Sequence, residues 1–127
     1  MKKITLLMSF LLTIFIAKAQ CDYVVDMQDS YGDGWNGASI DMSINGVVMT
    51  SFTVASGSAA TGSYSTYTGD NVEFYFNSGT WDTEITFQIT APDGSSVGSY
   101  GPYANNSGTM VQYGLEYLTL LVPLLHV

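Results

Sequence analysis

The run Ser39-Ile40-Asp41-Met42-Ser43-Ile44 alternates polar and apolar residues without a fault, and Asn45-Gly46 and a second apolar-rich run over residues 47–54 follow it. A period of two puts Ile40, Met42 and Ile44 on one face of an extended strand. Asn-Gly supplies the two residues that best accept positive φ, which a tight hairpin requires. On the return strand Val48, Phe52 and Val54 are expected to face the core. The same period recurs along the chain: residues 21–27 set Tyr23, Val25 and Met27 on one side, residues 72–76 do so with Val72, Phe74 and Phe76, and residues 84–90 with Ile85, Phe87 and Ile89. Residues 64–68, 97–100 and 109–113 read as further, weaker strands. Gly69-Asp70-Asn71 and Pro92-Asp93-Gly94 read as turns and residues 55–62 as a small-residue surface loop. Seven to eight short strands, with no helical period beyond residue 19, predict an all-β chain: an antiparallel two-sheet β-sandwich, jelly-roll or immunoglobulin-like.

The ends of the chain differ from this body. Lys2 and Lys3 precede an apolar run over residues 4–16, and Ala17-Lys18-Ala19 is a small-x-small site before Gln20. That is the pattern of a cleaved signal peptide over residues 1–19, and the run is shorter than the ~20 apolar residues of a membrane span. Lys18-Ala19-Gln20 does not resemble a lipobox, so lipid attachment at Cys21 is the weaker reading. The expected domain covers residues 20–113, secreted or at the cell surface, with no membrane insertion after cleavage. Residues 114–127 are rich in Leu and read either as a last strand or as a non-native terminus. Cys21 is the single cysteine of the chain, so it is either a buried small hydrophobe or the partner of a thiol elsewhere.

Charge narrows the function classes. The three basic residues, Lys2, Lys3 and Lys18, all lie in or beside the signal, whereas the eleven carboxylates begin at Asp22. Nucleic acid is excluded as a partner, because neutralising phosphates needs cations. Carboxylates that cluster in such a chain have no Lys or Arg to pair with, and a bound cation is the natural counter-charge.

Residues 29–37, Asp29-Ser30-Tyr31-Gly32-Asp33-Gly34-Trp35-Asn36-Gly37, are the densest candidate for such a site. The glycines permit a tight coil that turns oxygens toward one point. It is not an EF-hand: with Asp29 first, the third position is Tyr31 and the twelfth is Ile40, where a bidentate Glu belongs. The expected ligands are Asp29 and Asp33 with Asn36 or main-chain carbonyls beside them, completed, if the two loops meet at one end of the sandwich, by Asp82 and Glu84, which a strand would place two apart on one face. Oxygen donors alone in a flexible loop favour Ca2+. The competing reading is that these acids are solvated and support turns through side-chain to backbone hydrogen bonds.

The runs D-S-Y-G-D-G-W-N-G-A at residues 29–38 and S-G-T-W-D-T-E-I-T-F at residues 78–87 resemble a β-sandwich module of secreted and cell-surface proteins of Bacteroidetes, particularly flavobacteria, over residues 21 to about 101. The resemblance implies an accessory module, often part of larger exported proteins, whose acidic loops hold calcium. It also implies a closing-strand cysteine able to partner Cys21, which this chain lacks after residue 114. Catalysis has little support, since the single histidine, His126, lies next to the end of the sequence and no lysine follows residue 18. Tyr31, Trp35, Trp81 and Tyr103 are candidate ligand-binding aromatics able to stack on a sugar or anchor a protein; for the two tryptophans the favoured reading is that they cap the open end of the sandwich, because a small domain rarely leaves both in water. The expectation is a non-catalytic, calcium-stabilised extracellular binding or adhesion module for a carbohydrate or cell-surface protein, or, alternatively, a purely structural secreted module.

Overall fold

The computed structural model describes residues 20–102 and the strand 109–113; the signal region, Tyr103 and the apolar tail lie outside the described residues. The described residues form eight strands: β1 (Gln20–Asp29), β2 (Ser39–Ile44), β3 (Val47–Phe52), β4 (Ala59–Tyr67), β5 (Val72–Asn77), β6 (Ile85–Thr90), β7 (Ser96–Tyr100) and β8 (Thr109–Tyr113), with one 3-10 turn at Asp82–Glu84. They make two four-stranded sheets, ordered β4-β1-β6-β7 and β3-β2-β5-β8, and every pairing is antiparallel. β2–β3 and β6–β7 are hairpins, and the other connections pass between the sheets. The fold is thus a two-sheet β-sandwich, and the strand order that periodicity left open is fixed by these crossings.

The core lies between the inner faces. Tyr23, Val25, Met27, Ile85, Phe87 and Ile89 come from one sheet and Ile40, Met42, Val72, Phe74 and Phe76 from the other, all buried. These are the residues that the period of two selects, because alternate side chains of a strand leave on opposite faces. Tyr23 meets Phe74 edge-on across the layers at 5.5 Å between ring centroids. The β2–β3 hairpin turns on Asn45 (φ 52°) and Gly46 (φ 82°), the pair of positive φ values that a two-residue turn of this hand demands.

Two local expectations fail for identifiable reasons. Val48 is 60% exposed rather than in the core. A register shift between Met42 and Ser43 pairs Thr50 with Met42 but Val48 with Ser43, and such a bulge swaps the faces of the residues beyond it. β4 begins at Ala59, inside the stretch expected to be a loop. Its small residues reflect close stacking: a Cβ on Gly62 would sit 2.4 Å from the Phe52 ring, so the composition that suggests a loop is what admits this edge strand. Cys21, in β1, is half-buried.

Candidate functional site

The loops after β1, β3 and β5 gather at one end of the sandwich and are stitched together by main-chain hydrogen bonds. Asp29 N–H donates to Ser58 O at 2.8 Å, Ser30 N–H to Glu84 O at 2.9 Å and Thr80 N–H to Asn36 O at 3.3 Å. The loop rich in Gly and Asp therefore does meet the loop that carries Asp82 and Glu84. Gly79 makes the close approach possible, since a Cβ there would lie 2.5 Å from Ala38 N.

Asp29 organises the coil. Its carboxylate is buried, and it accepts the backbone N–H groups of Tyr31 (3.0 Å), Gly32 (3.1 Å), Asp33 (2.9 Å) and Gly34 (2.7 Å). Gly32 and Gly34 have φ of 93° and 99°, which curls successive amides toward one anion in the manner of a backbone nest. Three of those bonds end on Oδ2 and one on Oδ1. Oδ2 is thereby saturated, and Oδ1 is the atom of Asp29 with capacity for another partner.

Trp35 anchors the same coil from below. It is 1% exposed, its indole N–H donates to Gln28 O at 3.0 Å and its ring packs on Phe76 and Phe87 at 6.2 and 6.0 Å. A side chain so enclosed cannot meet a ligand, so the binding role expected for Trp35 is corrected to a core anchor. Tyr31 and Trp81 are the opposite case, at 76% and 51% exposed.

Asp29, Asp33 and Glu84 each offer an oxygen, and those oxygens lie within 4.8 Å of one another. Asp29 is buried, Glu84 intermediate and Asp33 exposed, so the group opens outward. The cluster could hold a metal ion. Partial desolvation, and then the negative charges of Asp29 and Asp33, push the Glu84 carboxyl above its usual value, as close like charges do. Asp33, Glu84, Tyr31 and Trp81 line one open depression of about 370 Å³.

The other two expected ligands are placed differently. Asn36 turns its amide NH2, not its oxygen, to this group: Nδ2 donates to Asp33 Oδ1 and to Gly34 O, both at 2.9 Å. It braces Asp33. Asp82 is fully buried and stands outside the trio; its carboxylate accepts the Gly79 N–H at 2.7 Å and the Ser78 hydroxyl. The expectation that Asp82 and Glu84 share a face assumed a strand, whereas both sit in a 3-10 turn. With three residues per turn, positions two apart point to different sides. Tyr103 lies outside the described residues.

The fold and the site define a small antiparallel β-sandwich with an amide-lined, acidic loop cluster at one end. Comparison with family models, curated proteins and solved structures finds no match to this chain. Among the described residues no helix is long and apolar enough to cross a membrane.

Proposed function

We propose that the protein is a non-catalytic extracellular binding or adhesion module, stabilised by Ca2+ at Asp29, Asp33 and Glu84, whose ligand is a carbohydrate or a cell-surface protein. The observation that carries the reading is the convergence of three carboxylates from two loops in a chain with no Lys or Arg beyond residue 18. The donors are all oxygen, and the group is part-exposed and irregular, which suits the variable coordination of Ca2+ better than the strict octahedron of Mg2+ or the N and S ligands of zinc. Tyr31 and Trp81 stand beside the carboxylates with their rings in solvent, as a stacking surface for a sugar or a protein anchor would.

The alternative, a structural module without a ligand, draws support from Asp29. A carboxylate already held by four amides rigidifies its loop without any metal. A glycan array probed in calcium, with wild type, Tyr31→Ala and Trp81→Ala side by side, separates the two readings. Specific glycan binding that either substitution abolishes supports the binding module. An array blank in calcium, or binding that both variants retain, refutes the aromatic surface as a sugar site.

A further inference from the structure

We infer that the stretch Leu118–Leu121 folds back from the end of β8 and seats a leucine in a cavity at the end of the sandwich remote from the acidic loops. The cavity has a volume of about 180 Å³. Its walls are Cys21 and Tyr23 at the start of β1, Thr66 near the end of β4, Val72 at the start of β5 and Pro92 in the turn between β6 and β7. The buried ring of Tyr23, packed edge-on against Phe74, ties this wall to the core. An apolar cavity of about 150 Å³ already accepts a benzene-sized group, so this one has room for a leucine side chain. Cys21 is half-buried and Tyr67, also lining it, is exposed, so the cavity opens to solvent and a second leucine could lie over its mouth.

Strand register delivers the occupant. β8 runs antiparallel to β5, and its last residue, Tyr113, pairs with Val72, itself a wall of the cavity. The sequence beyond Tyr113 therefore starts about 5 Å, one strand spacing, from that wall, and five residues of extended chain span about 16 Å. Gly114 comes first, where a sharp reversal costs least. Charge narrows the chemistry. Asp70 and Asp93 also line the cavity, each held by its own turn through the N–H groups of Tyr67 and Ser95, both at 2.9 Å. Two fixed carboxylates repel a fatty acid or any other anionic apolar ligand, which leaves a neutral apolar group. Residues 117–125 hold five leucines and no charged side chain. The other strongly apolar run, residues 4–16, has the pattern of a segment removed on export. A segment tethered beside its site acts at an effective concentration of about millimolar, more than a free apolar molecule reaches in water.

Cys21 is the single cysteine of the chain and a wall of the cavity, so its thiol reports whether the cavity is covered. After reduction, alkylation by N-ethylmaleimide is timed in the full chain for wild type, a double variant Leu118→Asp with Leu121→Asp, Leu121→Ala, Glu116→Gln and Leu11→Asp, with far-UV circular dichroism following the fold. A seated tail shields the thiol, so the double variant should react about tenfold faster than wild type or more, and Leu121→Ala about threefold faster or more, as loss of an apolar contact that must open for access predicts. Glu116→Gln, outside the seated stretch, should stay within about twofold of wild type. Should the double variant lose its fold, Leu121→Ala decides. A wild type that reacts as fast as the double variant, a rate that neither tail variant changes, or equal acceleration by Leu11→Asp would each overturn the docking. So would a wild-type rate that falls as protein concentration rises, the mark of a tail supplied by another copy.

Discussion

Replacing Asp29 by Ala removes the one acceptor shared by four backbone amides, and the structure gives the size of the effect. The Gly34 N–H, at 2.7 Å, makes the buried bond of the four, whereas those of Tyr31, Gly32 and Asp33 are part-buried and within reach of water. Orphaning one buried donor costs about 1–3 kcal/mol, and exchanging three charge-assisted bonds for bonds to water adds about 1 kcal/mol in all. Removing the negative charge also relieves the repulsion of this carboxylate with Asp33 and Glu84, a gain that solvent screening keeps small. The net expectation is a loss of about 2–4 kcal/mol without added metal, a fall in Tm of roughly 10–30 °C for a domain of this size. Asp29→Asn keeps an oxygen in place and should lose about half as much. Urea unfolding of the three proteins in chelator measures the stability, and hydrogen exchange at the Gly34 amide reports whether the loop is the part that loosens. An Asp29→Ala protein within about 0.5 kcal/mol of wild type, the range of an ordinary surface substitution, would refute the role given to this carboxylate.

Three further outcomes follow from the same geometry. Gly34→Ala should destabilise by about 2 kcal/mol or more in denaturant unfolding, because φ is 99° and the new Cβ would lie 2.8 Å from the main-chain oxygen of Val54, which has no freedom to retreat. Trp35→Ala should cost about 3–5 kcal/mol as a core truncation, and calorimetry should show Trp81→Ala, an exposed change, within about 0.5 kcal/mol of wild type. Glu84 contributes a pH dependence: its folded pKa is raised above 4.5, so between the unfolded and folded values the native state holds the extra proton, and this contribution to stability falls as pH rises through that window. Without metal, Glu84→Gln should therefore match wild type below the window and exceed it above, as read from Tm against pH; a variant less stable than wild type at neutral pH in chelator contradicts this sign.

Much of the sandwich is legible in the sequence because one physical rule writes it. Ile40 and Met42, Val72 to Phe76 and Ile85 to Ile89 alternate, and the face they share is the face that is buried. Asn45-Gly46 marks its turn because few other pairs accept positive φ twice in succession. What escapes the rule depends on neighbours in space. The exposure of Val48 needs a bulge that only the pairing with β2 defines, and β4 starts early because Ala59 and Ala60 pair with Gln28 and Met27 of β1. At the site, the two acidic stretches meet through main-chain hydrogen bonds, and Asp29, Asp33 and Glu84 lie together. Asp82 stands apart because a short 3-10 turn has no signature distinct from a strand start, and Trp35 goes inward because Phe76 and Phe87, distant in sequence, receive its ring. The anchoring role of Asp29 had a readable signal: an aspartate two to five residues before Tyr31, Gly32, Asp33 and Gly34, where alternate glycines allow amides to turn back on it.

The measurement that bears most directly on the cation at Asp29, Asp33 and Glu84 is thermal unfolding with Ca2+ titrated against chelator, for wild type and for a double variant, Asp33→Asn with Glu84→Gln. Binding to the folded state alone stabilises by about 2.7 kcal/mol when the free ion is at a hundredfold its Kd, so the wild-type Tm should climb with Ca2+ and return in chelator, and the double variant should not respond. A wild-type Tm that ignores both Ca2+ and chelator, or a double variant that responds as strongly as wild type, would contradict the site.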